Sequence, residues 1–428
     1  MKYLHDVAAH FADLGAGKSI VIHSACAEPK RLASELAASA PFMDGVLVHT
    51  LMPMGDSPYA APAPARHLHL NTFFPGRGLR EAFNAGRVTA QRHALSAIPN
   101  LFAQRRCAVD LLLLQVSPPD AAGYVSLGVS VDYMHAALRR QPRVIAEVNP
   151  AMPHTCGDTR VHVDAIDWFV DAIEAPQTVL AAAGDTVDGR IAEHVASLLR
   201  DGAVLQIGIG ALPDMVLAKV GHLRHLGLHS GIVTAAVRPL IESGVIDNSS
   251  KRERQGVSVA TMAAGTQDFY DFLNCNAAVE FHPCSLTHDR AVLARIEGFC
   301  AINSVLQVDL SGRANAEQVQ GRKIALPGGL PDFAAGATEA KRGLSILALR
   351  SSFRNGQHSN IVASLGAGTP VTVGAEHIDY VVTEYGIAPI RGTPPKARAR
   401  GLIAIAHPDC REALEREFVN HFCTELEP

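Results

Sequence analysis

The segment LGLHSGIVTAAVRPLIESG, residues 226–244, brings a histidine and a serine together at the end of an apolar run. In α/β enzymes, ligands and reactive groups usually lie where a strand ends and the chain turns towards a helix. His229 and Ser230 could position water or donate a hydrogen bond to an oxyanion. Gly231 follows them, we predict a helix after it, and no carboxylate occurs before Glu242. The segment therefore has the position of a catalytic strand end but offers no acidic nucleophile.

The same residues argue against a serine hydrolase. Successive residues of a strand point to opposite faces, so the His229 ring cannot reach the Ser230 hydroxyl. GLHSG also departs from the GxSxG nucleophile elbow, because its serine comes one place too late.

The histidines do not predict a metal site. His222, His225 and His229 form HxxHxxxH, but the first two fall in the connection before the strand that carries the third. No cysteine or carboxylate completes a ligand set at a usual spacing. We interpret these residues, together with His67 and His69, as solvated loop histidines and expect no metal ion.

Two glycine-rich turns could bind a ligand through main-chain N–H groups. In QIGIGALPDMV, Gly208 and Gly210 follow a strand-like run and precede a predicted helix, whose N-terminus favours anionic groups. Pro213 replaces the third glycine of the GxGxxG fingerprint, which disfavours a dinucleotide-dependent oxidoreductase. In ALPGGLPDFAAGA, Gly328 and Gly329 could expose N–H groups to an oxyanion or a thioester carbonyl. Each turn taken alone could equally be a structural tight turn.

The elements that must position these residues alternate along the chain. Amphipathic segments such as PKRLASELAAS and PDMVLAKVGHL lie between short apolar runs that are bounded by Gly, Pro or Ser. This alternation predicts an α/β fold with mostly parallel, buried strands. The runs interpreted as strands are SIVIHS, GVLVHTL, DLLLLQVS, RVIAEV, AVLQIGIG, LGLHS, SILAL and YVVTEYG.

The two halves of the chain share one design. Residues 20–36 and 204–220 each read as a strand, a turn of small residues and a helix, with Pro29 and Pro213 near the first helical turn. Chance similarity is an alternative, because this unit is common. We predict two related α/β domains, 1–185 and 186–428, divided near VLAAAGDTVDGR.

Composition limits the classes of function. The 428 residues are 48% hydrophobic and 19% charged, which is typical of a globular enzyme and not of a disordered chain. A formal net charge of −4 provides no overall field for nucleic acid or an anionic membrane.

The eight cysteines are scattered without a CxxC pair, as in a protein with reduced thiols. The first residues lack the unbroken apolar core of a secretory signal, and no apolar run is long enough to span a bilayer. We therefore expect a cytoplasmic protein that binds neither membrane nor nucleic acid.

Together, the segments resemble the acetyl-CoA hydrolase/CoA-transferase family, which includes 4-hydroxybutyrate CoA-transferase and related carboxylate CoA-transferases. The resemblance runs nearly from end to end, with the segments in the family's order. They are NTFFPGRGLREAFNAGR, VSPPDAAGYVSLGVS, AEVNPAMPHTCGD, QIGIGALPDMV, LGLHSG, INSVLQVDLSG, PGGLPDFAAGA, YVVTEYGIAPIRG and IAHPDCREAL.

The resemblance implies two open-sheet α/β domains of the CoA-transferase type, with the C-terminal one carrying most of the CoA site. It implies ping-pong catalysis, in which a glutamate attacks the thioester and then carries CoA as a glutamyl thioester. It also implies an acyl-CoA and a small carboxylic acid as substrates, no permanently bound cofactor, and a homo-oligomer (dimer or tetramer).

The family's site residues can be placed on this sequence by the matching segments. Gly328 and Gly329 match a glycine loop beside the thioester, and Gly231 falls where the family has its nucleophilic glutamate, as in LGIHTE. Residues 232–236, IVTAA, replace the acidic and glycine residues that usually follow. The turn that would contact CoA comprises Gly208, Ile209, Gly210, Ala211 and Leu212.

A glycine at position 231 leaves three hypotheses open. The protein could still be a CoA-transferase, either with a carboxylate from elsewhere or by direct transfer between two bound acids. It could hydrolyse acyl-CoA with water in the vacated space, or it could bind acyl-CoA without turnover. Gly231 could also serve only a tight bend or enlarge the pocket for a bulkier acyl group.

Other side chains are candidates for the remaining roles. Glu384 ends an apolar strand in VTEYG and is the first candidate for a replacement carboxylate, although a structural role is the alternative. Glu28 and Glu280 rank below it. Arg80 and Arg391 could pair with CoA phosphates or form surface salt bridges.

Overall fold

The computed structural model describes residues 1–12, 14–353 and 356–422. The chain forms two compact units. Unit 1 comprises Met1–Leu180, Gly231–Ala235 and Val257–His288, and unit 2 comprises Ala181–Ser230, Ala236–Gly256 and Asp289–Pro428. The predicted division into domains 1–185 and 186–428 stays a prediction.

Unit 1 contains a seven-stranded sheet whose strands are all parallel. The order across the sheet is β7-β6-β5-β1-β2-β3-β4. From β1 the chain continues to β2, β3 and β4 on one side of the sheet, and from β5 it continues to β6 and β7 on the other side. A crevice therefore opens between the carboxyl ends of β1 and β5. The strands are Ser19–Ile22 (β1), Val46–Thr50 (β2), Leu68–Thr72 (β3), Val88–Ala90 (β4), Leu111–Val116 (β5), Arg143–Val148 (β6) and Trp168–Asp171 (β7).

Unit 2 contains a six-stranded sheet in the order β9-β8-β10-β11-β12-β13, parallel except for its last pair. In this sheet the chain proceeds to opposite sides from β8 and from β10, so the order of the strands reverses between these two parallel neighbours. The strands are Val204–Ile207 (β8), Gly227–Leu228 (β9), Phe299–Ser304 (β10), Leu344–Ala348 (β11), Tyr380–Thr383 (β12) and Gly386–Pro389 (β13).

Shorter strands extend both units. Those of unit 1 are Tyr124–Ser126, Cys156–Gly157, Arg160–His162, Ile232–Thr234, Ser258–Ala260, Met262–Ala264 and Val279–Phe281. Those of unit 2 are Gln307–Asp309, Ala314–Asn315, Gln318–Val319, Arg322–Lys323, Ser352–Phe353, His358–Ser359 and Ile361–Val362.

Helices connect the parallel strands. Unit 1 has Val7–Ala12 (α1), Lys30–Ser39 (α2), Arg80–Asn84 (α3), Ile98–Ala103 (α4) and Met134–Leu138 (α5), followed later in the chain by Gln267–Leu273 (α9) and Cys284–Thr287 (α10). Unit 2 has Thr186–Ser197 (α6), Ala211–Lys219 (α7), Arg238–Glu242 (α8), Arg290–Ala294 (α11), Leu330–Glu339 (α12), Pro395–Ala404 (α13) and Pro408–Phe422 (α14).

The predicted fold class is confirmed, since both units have open, mainly parallel sheets. The central strands of both sheets are almost entirely buried, which explains why they read as continuous apolar runs. Pro29 caps α2 and Pro213 lies in the first turn of α7, as the matched strand–turn–helix units predict. In the part of the chain that the structure describes, no helix is both long and apolar enough to cross a bilayer.

The expected helix directly after Gly231 is wrong. Residues Ile232–Thr234 form a short strand that pairs in parallel with Met262–Ala264 in unit 1, and α8 begins only at Arg238. The run IVTAAV contains β-branched residues, and its pairing partner lies about thirty residues further along the chain, where a local pattern does not reveal it.

Candidate active site

The reversal between β8 and β10 places the turn at residues 208–210 in the usual ligand position of unit 2. Open parallel sheets bind ligands outside the carboxyl ends of the strands at such a reversal. Gly208 follows β8 directly, and α7 begins at Ala211. The turn and the helix N-terminus therefore meet at this point of the sheet.

The glycines of this turn are required by its shape and leave its surface open. Gly210 has φ +128° and ψ 177°, a conformation that L side chains rarely adopt. A Cβ placed on Gly208 or Gly210 would come no nearer than 3.9 Å to another residue, and that neighbour is Pro213. Ile209 between them is 38% exposed. A ligand can thus approach the main chain here, as the sequence predicts.

A pair of side-chain amides spans the two strands beside this turn. Gln206 on β8 and Asn303 on β10 exchange two hydrogen bonds, with N···O distances of 2.8 and 3.3 Å. Both lie in segments that we matched to the family, QIGIG and INSVL, but their polar side chains gave no separate signal. Only the register of β8 against β10 brings them together.

Ser230 is held by the main chain of the neighbouring strand. Its Oγ donates to the carbonyl oxygen of Ile207 at 2.8 Å and accepts from the N–H of Ile207 at 3.3 Å. The residue is fully buried. Its hydroxyl therefore fixes the ends of β8 and β9, and the proposed role in catalysis stays a prediction.

His229 packs against the apolar layer on one face of the same sheet. Its ring is 3% exposed and lies edge-on to Phe299, with the ring centroids 6.1 Å apart. Phe299 in turn contacts Phe333 of α12 at 6.3 Å. The His229 N–H donates to the carbonyl oxygen of Leu205, so the main chain continues the strand.

The second glycine loop precedes α12 in the same unit. Gly328 has φ +58°, and Gly329 caps the helix N-terminus. The helix that follows is ten residues long. Because Phe333 lies in the first turns of α12, the chain of rings from His229 ends close to this loop.

Gly231 belongs to unit 1. Its carbonyl oxygen accepts hydrogen bonds from the N–H groups of Thr261 and Met262, at 3.2 and 3.0 Å. Thr261 carries a buried hydroxyl that has no hydrogen-bond partner among the described residues. Sequence reasoning missed Thr261, since nothing in its own segment indicates a contact with Gly231.

Glu384 makes contacts within the fold. Its two carboxylate oxygens accept hydrogen bonds from the N–H and the hydroxyl of Ser351, at 2.9 and 2.7 Å, and its exposed fraction is 7%. This pair ties the end of β12 to the loop that follows β11. If Glu384 has a structural role, which is the alternative to a catalytic one, Ser351 is the partner that it binds.

The other carboxylates considered have different partners. Glu242 pairs with Arg238 one helical turn away, at 2.8 Å, as expected for a surface residue. Glu280 contacts His282 at 2.8 Å, and Asp158 lies on the other ring nitrogen at the same distance.

Glu28 stands out among these groups in unit 1. It lies in the turn after β1, at the edge of the crevice between β1 and β5. Ser57 donates to both of its oxygens, at 3.0 and 3.1 Å, and the Tyr59 hydroxyl donates to one of them at 2.5 Å. Burial raises the pKa of Glu28 to about 7, against the opposing effect of these two donors.

The two arginines predicted to bind phosphates differ in their contacts. Arg391 in unit 2 already pairs through Nε and Nη2 with one oxygen of Asp379, at 2.8 and 2.6 Å. Arg80 is exposed at the first position of α3 in unit 1. A phosphate would compete with Asp379 for the first, and both roles stay predictions.

No metal centre is found within the described ranges of the chain, where no three His, Cys, Asp or Glu side chains are arranged to hold an ion. A cavity of about 700 Å³ does occur in unit 2, but it lies at the amino ends of the strands. None of the residues predicted from the sequence to form the site lines it.

Known proteins match the chain over nearly its whole length. The family model for the acetyl-CoA hydrolase/transferase N-terminal domain matches residues 2–181, and that for the C-terminal domain matches residues 265–418. The chain is 38% identical to the 4-hydroxybutyrate coenzyme A transferase of Clostridium kluyveri, with 94% of each chain covered.

Solved structures show the same fold. The 4-hydroxybutyrate CoA-transferase from Porphyromonas gingivalis is 32% identical, with a TM-score of 0.83 over 97% of this chain and 96% of that one. RipA from Yersinia pestis is 28% identical, with a TM-score of 0.91 over 96% of each chain.

Proposed function

Since this chain belongs to the acetyl-CoA hydrolase/transferase family, we propose that it transfers CoA from an acyl-CoA thioester to a free carboxylic acid. The assignment to enzymes of the CoA-transferase type, made from the sequence, is confirmed at the level of the family. The substrates of this chain are part of the proposal, with no permanently bound cofactor expected.

One observation carries the proposal: the likeness to a named CoA-transferase covers 94% of both chains, so the whole architecture corresponds. The open turn at residues 208–210 supports it, because main-chain N–H groups at a helix N-terminus suit the phosphates of CoA or a developing oxyanion. We place most of the CoA contacts at residues 208–212 and at Gly328 and Gly329, all in unit 2.

The proposed route does not use a glutamyl-CoA intermediate. Gly231 has no carboxyl oxygen, so we propose that the acceptor acid supplies the attacking carboxylate itself. Its oxygen attacks the thioester carbon, the C–S bond breaks, and CoA leaves as a thiolate while a mixed anhydride forms. The thiolate then attacks the acceptor's carbonyl carbon, which gives the new thioester and releases the donor acid as a carboxylate. Charge and atoms balance without a further reagent.

The buried hydroxyl of Thr261 gives this route a possible donor. Its main chain is bonded to the carbonyl oxygen of Gly231, and its Oγ1 has no partner among the described residues. We propose that it donates a hydrogen bond to an oxyanion that forms near position 231. We propose that His229, Ser230 and Glu384 act by holding the strands and loops of unit 2 in place.

Hydrolysis of acyl-CoA is the second candidate function. It is favoured by the absence of a side chain at position 231, which would let water take the place of the acceptor acid. Binding of acyl-CoA without turnover is the third.

Kinetics distinguish the three candidates. Transfer by the proposed route requires both substrates before any product leaves, so initial-rate plots for acyl-CoA and acceptor should intersect. Parallel lines would mean a covalent enzyme intermediate and would overturn the route while leaving the transferase assignment intact. Free CoA and acid without an acceptor would indicate the hydrolase, and acyl-CoA that only raises the melting temperature would indicate the binder.

Restoring the carboxylate provides a direct test of position 231. We expect Gly231→Glu to form a covalent CoA adduct on incubation with acyl-CoA, visible by intact-mass spectrometry. Gly231→Gln has nearly the same size and should form none. A folded Gly231→Glu variant that binds acyl-CoA yet stays unmodified would contradict the alignment of Gly231 with the family's nucleophile.

Two further expectations complete the proposal: a cytoplasmic location, from the cysteine pattern and the first residues of the sequence, and a dimer or tetramer, from the family resemblance. Analytical ultracentrifugation of the purified chain would test the oligomeric state, and a monomer at micromolar concentration would refute it.

A further inference from the structure

The cavity in unit 2 lies at the amino ends of the strands, whereas the glycine turn follows the carboxyl end of β8. Gly202, Gly298 and Gly343 line it, and each lies one or two residues before β8, β10 or β11. The turn at residues 208–210 follows the other end of β8. Because β8 has four residues, about 13 Å separates the two ends of this strand. The cavity is therefore distinct from the site where we place CoA.

We propose that this cavity binds a phosphorylated organic molecule of about nucleotide size, at a second site separate from that of the transfer reaction. The residues that surround the cavity support this second site independently of the proposed CoA transfer.

Positive charge exceeds negative charge around Glu297, which lines the cavity together with Arg342. The carboxylate of Glu297 is approached by Arg342 at 3.7 Å and by two cations from outside the lining, Arg252 at 3.0 Å and Lys341 at 3.1 Å. The hydrogen bond from Lys341 is the largest influence that lowers the pKa of Glu297, so this group is ionised at neutral pH. Three positive charges thus surround one negative charge beside the cavity, within a chain whose formal net charge is −4. The excess favours an anionic ligand.

The other charged residues of the lining leave this excess unchanged. Arg200 and Asp201 both line the cavity and cancel in charge. The Asp201 carboxylate accepts a hydrogen bond from the N–H of Arg224 at 2.9 Å, which holds it within the connection to β9. The guanidinium group of Arg200 is exposed and can turn towards an anion.

A buried hydroxyl also points to a polar ligand. Ser250 lines the cavity, and its Oγ is inaccessible to solvent and has no hydrogen-bond partner among the described residues. Leaving a buried donor unpaired is costly, and rotation about the Cα–Cβ bond of Ser250 would let this hydroxyl reach a phosphate oxygen in the cavity.

Size and apolar lining indicate more than an inorganic ion. The cavity volume of about 700 Å³ falls within the usual range for small-molecule sites and far exceeds what phosphate needs. Leu198, Leu344 and the ring of Tyr380 provide an apolar part of the lining. A ring system joined to phosphate groups matches both the apolar and the charged parts.

Calorimetry on the full chain with ADP and with inorganic phosphate tests the proposal. We expect ADP to bind with one site per chain, more tightly than phosphate, and with an unchanged dissociation constant in saturating acetyl-CoA. Acetyl-CoA that displaces ADP would show that the nucleotide occupies the CoA site and would overturn the proposal, as would the absence of binding.

Variants locate the bound nucleotide. The double variant Arg200→Ala/Arg342→Ala should raise the dissociation constant for ADP at least tenfold, and Arg322→Ala, an exposed arginine on the Arg322–Lys323 strand, should leave it unchanged. Ser250→Ala removes one small group and should weaken binding several-fold without affecting the fold. Equal affinity for ADP in all of these variants would refute the site. ADP binding and CoA transfer are measured separately, so a failure of the second-site proposal can be distinguished from a failure of the proposed transferase function.

Discussion

At the scale of single residues, two buried carboxylates of this chain are held by hydroxyl and N–H donors. Glu384 is bound by the N–H and hydroxyl of Ser351, and Glu28 by the hydroxyls of Ser57 and Tyr59. A buried carboxyl group needs such partners, because leaving water costs the charged form several kcal/mol. Burial is the largest influence on the pKa of Glu28 and raises it to about 7.

This shift predicts a pH dependence of stability. The pKa of Glu28 is about 7 in the folded chain and 4.5 for an unperturbed glutamate. Between these pH values the folded state holds the proton and the unfolded state releases it, so the free energy of unfolding falls as the pH rises. The contribution is complete below pH 4.5 and lost above pH 7, with a total of about 3 kcal/mol. Glu28→Gln should flatten this part of the curve, as measured by urea unfolding at pH 5 and pH 7.

An exposed glutamate provides the control for this measurement. Glu415→Gln on α14 should leave the pH dependence of the wild-type chain unchanged. If Glu28→Gln shows the same slope between pH 5 and pH 7 as the wild type, Glu28 is ionised in the folded state and its pKa is not raised by burial.

At the scale of elements, the turn between β8 and α7 combines a conformational requirement with an open surface. Gly210 must be glycine for its φ of +128°, whereas Gly208 could accept a Cβ without a clash. Two glycines two positions apart thus serve different purposes, one for the shape of the turn and the other for access to it.

Alanine substitutions separate these two purposes. Gly210→Ala should lower the free energy of unfolding by about 2 kcal/mol, because alanine is forced into a glycine-only conformation. Gly208→Ala should change stability by less than about 0.5 kcal/mol. If CoA lies over this turn, Gly208→Ala should still raise KM for acyl-CoA severalfold. An unchanged KM in a stable Gly208→Ala variant would move the CoA site away from residues 208–212.

At the scale of the whole molecule, the compact units do not follow the order of the chain. Unit 1 includes Gly231–Ala235 and Val257–His288, which come after the first part of unit 2. The strand Val279–Phe281 pairs with Cys156–Gly157, so this later segment adds a sheet to the first 180 residues.

This arrangement predicts how fragments behave. A fragment of residues 1–185 lacks two segments of unit 1, and we expect it to unfold without a cooperative transition or to aggregate. Circular dichroism during thermal unfolding of this fragment, beside the full chain, measures the outcome. A cooperative transition in the isolated fragment would support independent domains divided at residues 185 and 186.

Much of the fold could be predicted from the sequence. Continuous apolar runs such as SIVI and LLLLQV identify strands that are buried on both faces, and the prolines near α2 and α7 mark the helix starts. The order of family segments identified the family, because many short matches in sequence are far more specific than any one. These features depend on local pattern, which a single sequence displays directly.

The candidate site could be predicted only in part. The sequence by itself determined that position 231 has no carboxylate, and it predicted that the turn at residues 208–210 could let a ligand approach the main chain. Only the tertiary structure decided that Ser230 bonds to the main chain of Ile207, that Glu384 holds Ser351, and that Gly231 enters a strand beside Thr261. These contacts join residues 23 to 33 positions apart, and their formation depends on strand register and burial, which composition and spacing do not encode.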